Sequence, residues 1–114
     1  ARLLVEANAA VDQTDDEGTT PLSAASLAGE IGCVRLLLEA GAATDQADVE
    51  GCTPLFMACQ NNHPEIARLL LATDADINQA MNDGATPLFM ACQEGHLEVA
   101  KLLSSYGASR AAIP

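Results

Sequence analysis

One five-residue phrase recurs three times in the chain at a constant interval. It reads Gly-Thr-Thr-Pro-Leu at 18–22, Gly-Cys-Thr-Pro-Leu at 51–55 and Gly-Ala-Thr-Pro-Leu at 84–88, so successive copies are 33 residues apart. An interval of this size is typical of stacked repeats that contact mainly their neighbours. The phrase also predicts a helix start, because Thr can cap the first turn with its hydroxyl and Pro tolerates the first helical position.

Further landmarks recur at the same interval. A pair of small residues follows each phrase and a Leu-Leu pair comes later, at 24–25, 58–59 and 91–92 and at 36–37, 69–70 and 102–103. Together with Gly-His and Gly-Ala steps, this combination resembles the ankyrin repeat family over nearly the whole chain. The resemblance implies an all-α fold, an α-solenoid of stacked helix-turn-helix pairs with projecting hairpin loops.

The interval divides the chain into repeats that form a single domain. We expect a half repeat, consisting of a second helix and a loop, followed by three full repeats, at 1–14, 15–47, 48–80 and 81–113 of the domain 1–114. Because the chain begins within what matches a second helix, we expect it to be a fragment of a longer protein.

Each full repeat is predicted to contain two short antiparallel helices. The first helices are expected at 21–28, 54–61 and 87–94, and the second helices at 31–40, 64–73 and 97–106. Small residues in the first helices predict close helix packing, and the Leu pairs of the second helices are expected in the core. Helix ends are marked by residue types that tolerate positive φ, namely Gly29, Asn62 and Gly95, then Asn8, Gly41, Asp74 and Gly107.

Composition limits the partners of such an array. The formal net charge is −11, which argues against a nucleic-acid partner, because phosphate binding needs an excess of Lys and Arg. No apolar run is long enough to cross a membrane. A protein partner with a neutral-to-basic contact surface is compatible with this charge, and we expect the chain itself to be a monomer.

The cysteines show no spacing typical of a metal site. Cys33, Cys52, Cys59 and Cys92 form no Cys-x-x-Cys motif. Cys59 and Cys92 occupy equivalent positions and are expected to be buried, about 8–10 Å apart and therefore too far for a disulfide. Cys52 is expected to be exposed on a hairpin. Four free thiols favour an intracellular location, cytoplasmic or nuclear.

The histidines are explained by the repeat. His63 and His96 each precede a second helix, a position that the family resemblance assigns to a structural cap. No cofactor, metal or catalytic arrangement is expected, and we predict a protein that is not an enzyme. The family commonly carries His after Thr-Pro-Leu, where this chain has Ser23, Phe56 and Phe89; a contact between the two Phe side chains is expected to replace the polar one.

Charged residues follow the interval as well. Arg2, Arg35, Arg68 and Lys101 are spaced by 33 residues and predict a basic stripe on the second helices, whereas most acids fall in loops. A solvated surface is the simpler explanation of both patterns.

The resemblance implies a non-catalytic protein–protein interaction module that presents a concave groove of hairpin tips and first-helix residues. Transferred position by position, the candidate partner-binding residues are Asp16, Glu17, Thr19, Leu27, Ala28, Val49, Glu50, Cys52, Gln60, Asn61, Asn82, Asp83, Ala85, Gln93 and Glu94, with Thr73 and Tyr106 near the edge of the groove. Two other functions are compatible with the sequence. The chain could be the ankyrin segment of a larger enzyme, or Asn78 could be a substrate of an asparaginyl hydroxylase, since Asp-Ile-Asn at 76–78 resembles the loop that such enzymes modify.

Overall fold

The computed structural model of the protein describes residues 11–73 and 75–107, which form an elongated array of 42 × 25 × 21 Å. The described residues contain six α-helices and no strand. In chain order these are α1 Pro21–Ala28, α2 Ile31–Glu39, α3 Pro54–Gln60, α4 Pro64–Ala72, α5 Pro87–Gln93 and α6 Leu97–Ser105. All six predicted helices are present, so the all-α solenoid is confirmed.

Threonine caps the first helix of every repeat, as predicted. In each case the Thr side chain accepts a hydrogen bond from the backbone N–H three residues later, and Pro occupies the first turn. The distances from Thr20, Thr53 and Thr86 are 3.1, 3.2 and 3.1 Å. Because all three threonines are buried, the cap also removes a polar group from solvent without leaving it unpaired.

The first helices end where the sequence predicts a left-handed residue. Gly29, Asn62 and Gly95 have φ values of +78°, +62° and +74°. The backbone N–H that follows each of them returns to a carbonyl of the last helical turn, over 2.9–3.0 Å. All predicted helices except α1 end one residue earlier than expected, because the last predicted residue is the cap. Asn8 and Asp74 lie outside the described residues.

The core runs the length of the array and is built from equivalent positions. Leu37, Leu70 and Leu103 are buried, and Ala58 and Ala91 lie between the helices with no exposed surface. Leu36 is a correction: it was expected in the core but is 40% exposed, because it lies on the side of α2 that faces away from the described core.

The two helices of a repeat pack differently against their neighbours. The first helices α1, α3 and α5 approach each other over more of their length than the second helices α2, α4 and α6. Small residues at the centre of the first helices allow this approach, whereas Leu side chains separate the second helices. The difference in spacing predicts an array that curves toward its first helices.

Side chains also join neighbouring repeats. The carboxylate of Asp12 accepts a hydrogen bond from Ala43 N–H at 2.9 Å, and that of Asp45 accepts one from Asp76 N–H at 2.8 Å. Asp12 and Asp45 are 33 residues apart, so the same bond recurs in successive repeats. Each bond fixes a loop of one repeat against the next.

A small apolar cluster replaces the polar group that the family commonly has after Thr-Pro-Leu. Phe56 is buried beside Cys52, Met57 and Ala85, and Phe89 packs against the same cluster. The expected apolar association of Phe56 and Phe89 between adjacent repeats is therefore present. In the first repeat Ser23 occupies this position, and its buried hydroxyl has no hydrogen-bond partner among the described residues.

Candidate partner-binding surface

A tight hairpin turn precedes the first helix of each repeat. Two backbone hydrogen bonds close each turn, the first being Asp15 N–H to Thr19 O at 3.1 Å, Asp48 N–H to Cys52 O at 3.0 Å, and Met81 N–H to Ala85 O at 2.8 Å. The second returns from a Gly with positive φ to the residue three positions before it. The projecting hairpins implied by the family resemblance are therefore present in all three repeats.

Carboxylates stabilise these turns from within. Asp15 accepts hydrogen bonds from Glu17 N–H and Thr19 N–H at 2.9 and 3.0 Å, and Asp48 accepts two in the same way. The N–H of Thr19, followed by that of Glu17, lowers the pKa of the Asp15 carboxyl below its ordinary value. The resulting stabilisation is complete above the ordinary pKa and is lost as the pH falls through the lowered one. These acids thus have a structural role and do not act only as surface charge.

Adjacent hairpins are bonded to each other. Val49 N–H donates to Glu17 O and Asn82 N–H donates to Glu50 O, both at 2.9 Å. The side-chain amide of Asn82 adds a bond to Val49 O at 2.8 Å. The three hairpins therefore form one continuous row with fixed spacing.

Most predicted partner-binding residues are exposed. We use the name hairpin surface for the exposed side chains of the hairpin tips and of the ends of the first helices, which are Asp16, Glu17, Leu27, Ala28, Val49, Glu50, Asn61, Asn82, Asp83, Gln93 and Glu94. Leu27 and Val49 are 44% and 65% exposed, which is a large exposure for apolar side chains. Thr19 and Gln60 are half-buried.

Four of the predicted positions need correction. Cys52 and Ala85 are buried, at 5% and 3% exposure, because both side chains turn into the apolar cluster around Phe56. They cannot contact a partner directly. Tyr106 is exposed but lines a groove with Arg35 and Arg68 on the second helices, away from the hairpins. Thr73 caps α4 and its hydroxyl donates to Leu70 O at 2.9 Å, so its side chain is also committed to the second-helix side.

The cysteines divide differently from the expectation. Cys33 and Cys92 are exposed, whereas Cys52 and Cys59 are buried. The prediction was therefore wrong for Cys52 and for Cys92, which has no described repeat packed over it. Burial raises the pKa of the Cys59 thiol to about 12. Burial, followed by the nearby Asp48 and Glu50 carboxylates, raises the pKa of Cys52 to about 11.

These environments predict the order of thiol reactivity. In the folded protein Cys33 and Cys92 should be alkylated by iodoacetamide, whereas Cys52 and Cys59 should react only after unfolding, because the thiolate is the reactive form. Time-resolved alkylation followed by peptide mass spectrometry measures the four rates separately. Labelling of native Cys52 as fast as that of Cys33 would contradict the buried placement.

The two histidines join repeats and do not cap their own helices. The Nε2 atom of His63 is 3.2 Å from Leu27 O, and that of His96 is 2.9 Å from Gln60 O. Neither side chain makes a capping hydrogen bond to the helix that it precedes. The structural role expected for them is present, but it links each second helix to the preceding first helix. The shared 33-residue offset was the signal for this.

The described residues offer no alternative site of chemistry. Within residues 11–73 and 75–107, no group of three or more His, Cys, Asp or Glu side chains could hold a metal ion. In the same ranges no helix has the length and apolar character needed to cross a membrane. Asn78 is exposed and its backbone N–H donates to Asp76 at 3.0 Å; its hydroxylation stays a prediction.

The bonded hairpins, the Thr-Pro-Leu caps and the stacked helix pairs define a helical repeat protein. Comparison with protein families agrees: a family described as ankyrin repeats (3 copies) matches residues 1–80 and 43–111. The chain belongs to the ankyrin repeat family. No curated protein was matched at the threshold used. Ankyrin repeats are in general protein-interaction modules, and their domains are typically non-catalytic.

Proposed function

We propose that the chain is a non-catalytic module that binds a protein partner through its hairpin surface. The carrying observation is the row of hairpin tips, in which backbone hydrogen bonds of 2.9 Å hold the exposed tips of adjacent repeats in one line. A surface whose backbone is already ordered loses little conformational entropy on binding. Variable side chains on a fixed scaffold can therefore be selected for contact without disturbing the fold.

The chemistry of the hairpin surface indicates the kind of partner. Its tips carry Asp16, Glu17, Glu50 and Asp83, while Leu27 and Val49 supply exposed apolar area. Acidic residues around apolar positions suit a neutral-to-basic protein surface, whose approach they would accelerate by electrostatic attraction. The association rate should accordingly fall as the salt concentration rises.

The length of the array is sufficient for a specific interface. The molecule measures 42 Å along its longest axis. A surface of that length can supply the roughly 800 Å² per partner that stable complexes typically bury. The free thiols favour a reducing compartment, so we propose that the partner is met in the cytosol or the nucleus.

Charge reversal tests this proposal. Replacing Asp16, Glu17 and Glu50 by Lys should weaken partner binding by at least about tenfold, since it reverses charges that face the partner. Asp83 is left unchanged, because its carboxylate accepts a structural hydrogen bond from Ala85 N–H. The measurement is the affinity of a partner first identified by pull-down and mass spectrometry.

The matched control reverses three acids on the opposite side of the molecule. Glu39, Glu65 and Glu98 are exposed on the second helices, and their replacement by Lys changes the net charge by the same amount. This control should retain binding within about twofold. Loss of binding in the control with full binding by the hairpin variant would show that the partner uses the second helices.

A further inference from the structure

All described cations of the Lys and Arg type lie on one side of the molecule. Within residues 11–73 and 75–107 these are Arg35, Arg68 and Lys101, each exposed at the same position of α2, α4 and α6. No described carboxylate forms an ion pair with any of them. In a chain of net charge −11, this row of unpaired cations is a local exception that complements an acidic ligand.

The row borders a groove with an apolar floor. A shallow surface groove of about 330 Å³ follows the second helices, lined by Ile31, Leu69 and Tyr106 beside Arg35 and Arg68. Tyr106 is 50% exposed and Leu69 is half-buried, so both present apolar surface to the groove. We call these five residues the basic groove. Cations beside aromatic and aliphatic side chains form the combination that is enriched at the centre of protein interfaces.

We propose that the basic groove binds an acidic amphipathic helix of a second protein partner. Neighbouring repeats are about 10 Å apart, which is the usual distance between packed helices. An α-helix rises about 1.5 Å per residue, so carboxylates seven residues apart are also separated by roughly 10 Å. A helix lying along the array can therefore place one acid near each of Arg35, Arg68 and Lys101, with apolar residues between them on Leu69 and Tyr106.

Two features favour this occupant over others. A nucleic acid would offer phosphates to the cations but nothing for the apolar floor, and the acidic remainder of the chain would repel it. Glu65 also lines the groove, so the side chain placed beside it must be neutral or basic, which fixes the direction in which the helix lies. The hairpin surface takes no part in this contact, so the inference does not depend on the proposed function.

A synthetic peptide tests the basic groove. The probe is a fluorescein-labelled helical peptide with Glu at every seventh position and Leu at the intervening face, titrated with the 114-residue chain while anisotropy is measured. We expect saturable binding that weakens as salt rises. Replacing Arg35, Arg68 and Lys101 by Gln should weaken it at least about tenfold. Tyr106→Ala should also weaken it, because the apolar floor loses its aromatic ring.

A second triple variant separates the groove from general charge repulsion. Gln13, Val49 and Gln93 are exposed away from the second helices, and their replacement by Glu gives the same net charge as the groove variant. This control should bind the peptide within about twofold of the unmodified chain. The proposal is overturned by absence of saturable binding, by equal losses in both triple variants, or by equal binding of a peptide with scrambled Glu positions.

Discussion

Leu70→Ala is expected to lower the free energy of unfolding by about 2–5 kcal/mol, the range for a buried Leu whose cavity cannot fully collapse. Leu70 has no exposed surface and lies in the middle repeat, where described repeats pack on both sides. The cavity would therefore open at the centre of the continuous core. Urea denaturation followed by circular dichroism gives the change in free energy, which should appear as a shift in midpoint with little change in slope.

The control for this prediction is a leucine of the same interval that is not buried. Leu36→Ala removes the same atoms from a side chain that is 40% exposed, so its cost should be clearly smaller than that of Leu70→Ala. Equal losses from the two substitutions would mean that the core does not run through the array as described. Position within the repeat, and not residue type, is what this pair of variants compares.

Gly51→Ala is expected to destabilise the protein for two separate reasons. Gly51 has a φ of +89°, which costs an Ala residue about 1–2 kcal/mol. A Cβ at this position would also lie 2.7 Å from Asn82 N and 2.9 Å from Met81 Cα. Both contacts are with backbone of the next hairpin, so the row of hairpins must shift, at a further cost of roughly 1–3 kcal/mol.

Gly41→Ala isolates the first of these costs. Gly41 has a nearly identical φ of +87°, but a Cβ there would meet no atom within 4 Å. We therefore expect Gly41→Ala to lose only the conformational term, and Gly51→Ala to lose more, as measured by thermal and urea unfolding of both variants. If Gly41→Ala proves as damaging as Gly51→Ala, close contact between hairpins is not what requires glycine at position 51.

The 33-residue interval carried most of the information about the fold. It located all six helices because caps such as Thr53 and stops such as Gly29 act through their own backbone neighbours, which the local sequence specifies. It could not distinguish Cys59 from Cys92, which are equivalent in sequence. Their burial differs because one has a described repeat on both sides and the other has only one.

The candidate site was predictable only in outline. The hairpin tips were correctly expected to be exposed, since turn residues such as Asp16 and Glu50 project from any hairpin. The inward rotation of Cys52 and Ala85 depends on the apolar cluster around Phe56, which involves residues of two repeats. Tyr106 was assigned to the wrong side because its position after α6 does not reveal which neighbouring helices it reaches.

Site-specific photo-crosslinking tests most directly whether the hairpin surface is where a partner binds. A photoreactive amino acid replaces Val49, which is 65% exposed at a hairpin tip, or Glu98, which is exposed on the second helix α6. After irradiation with the partner present, mass spectrometry identifies covalent adducts at each position. The proposed function predicts adducts at Val49 and none at Glu98. Adducts at Glu98 with Val49 unmodified would contradict it.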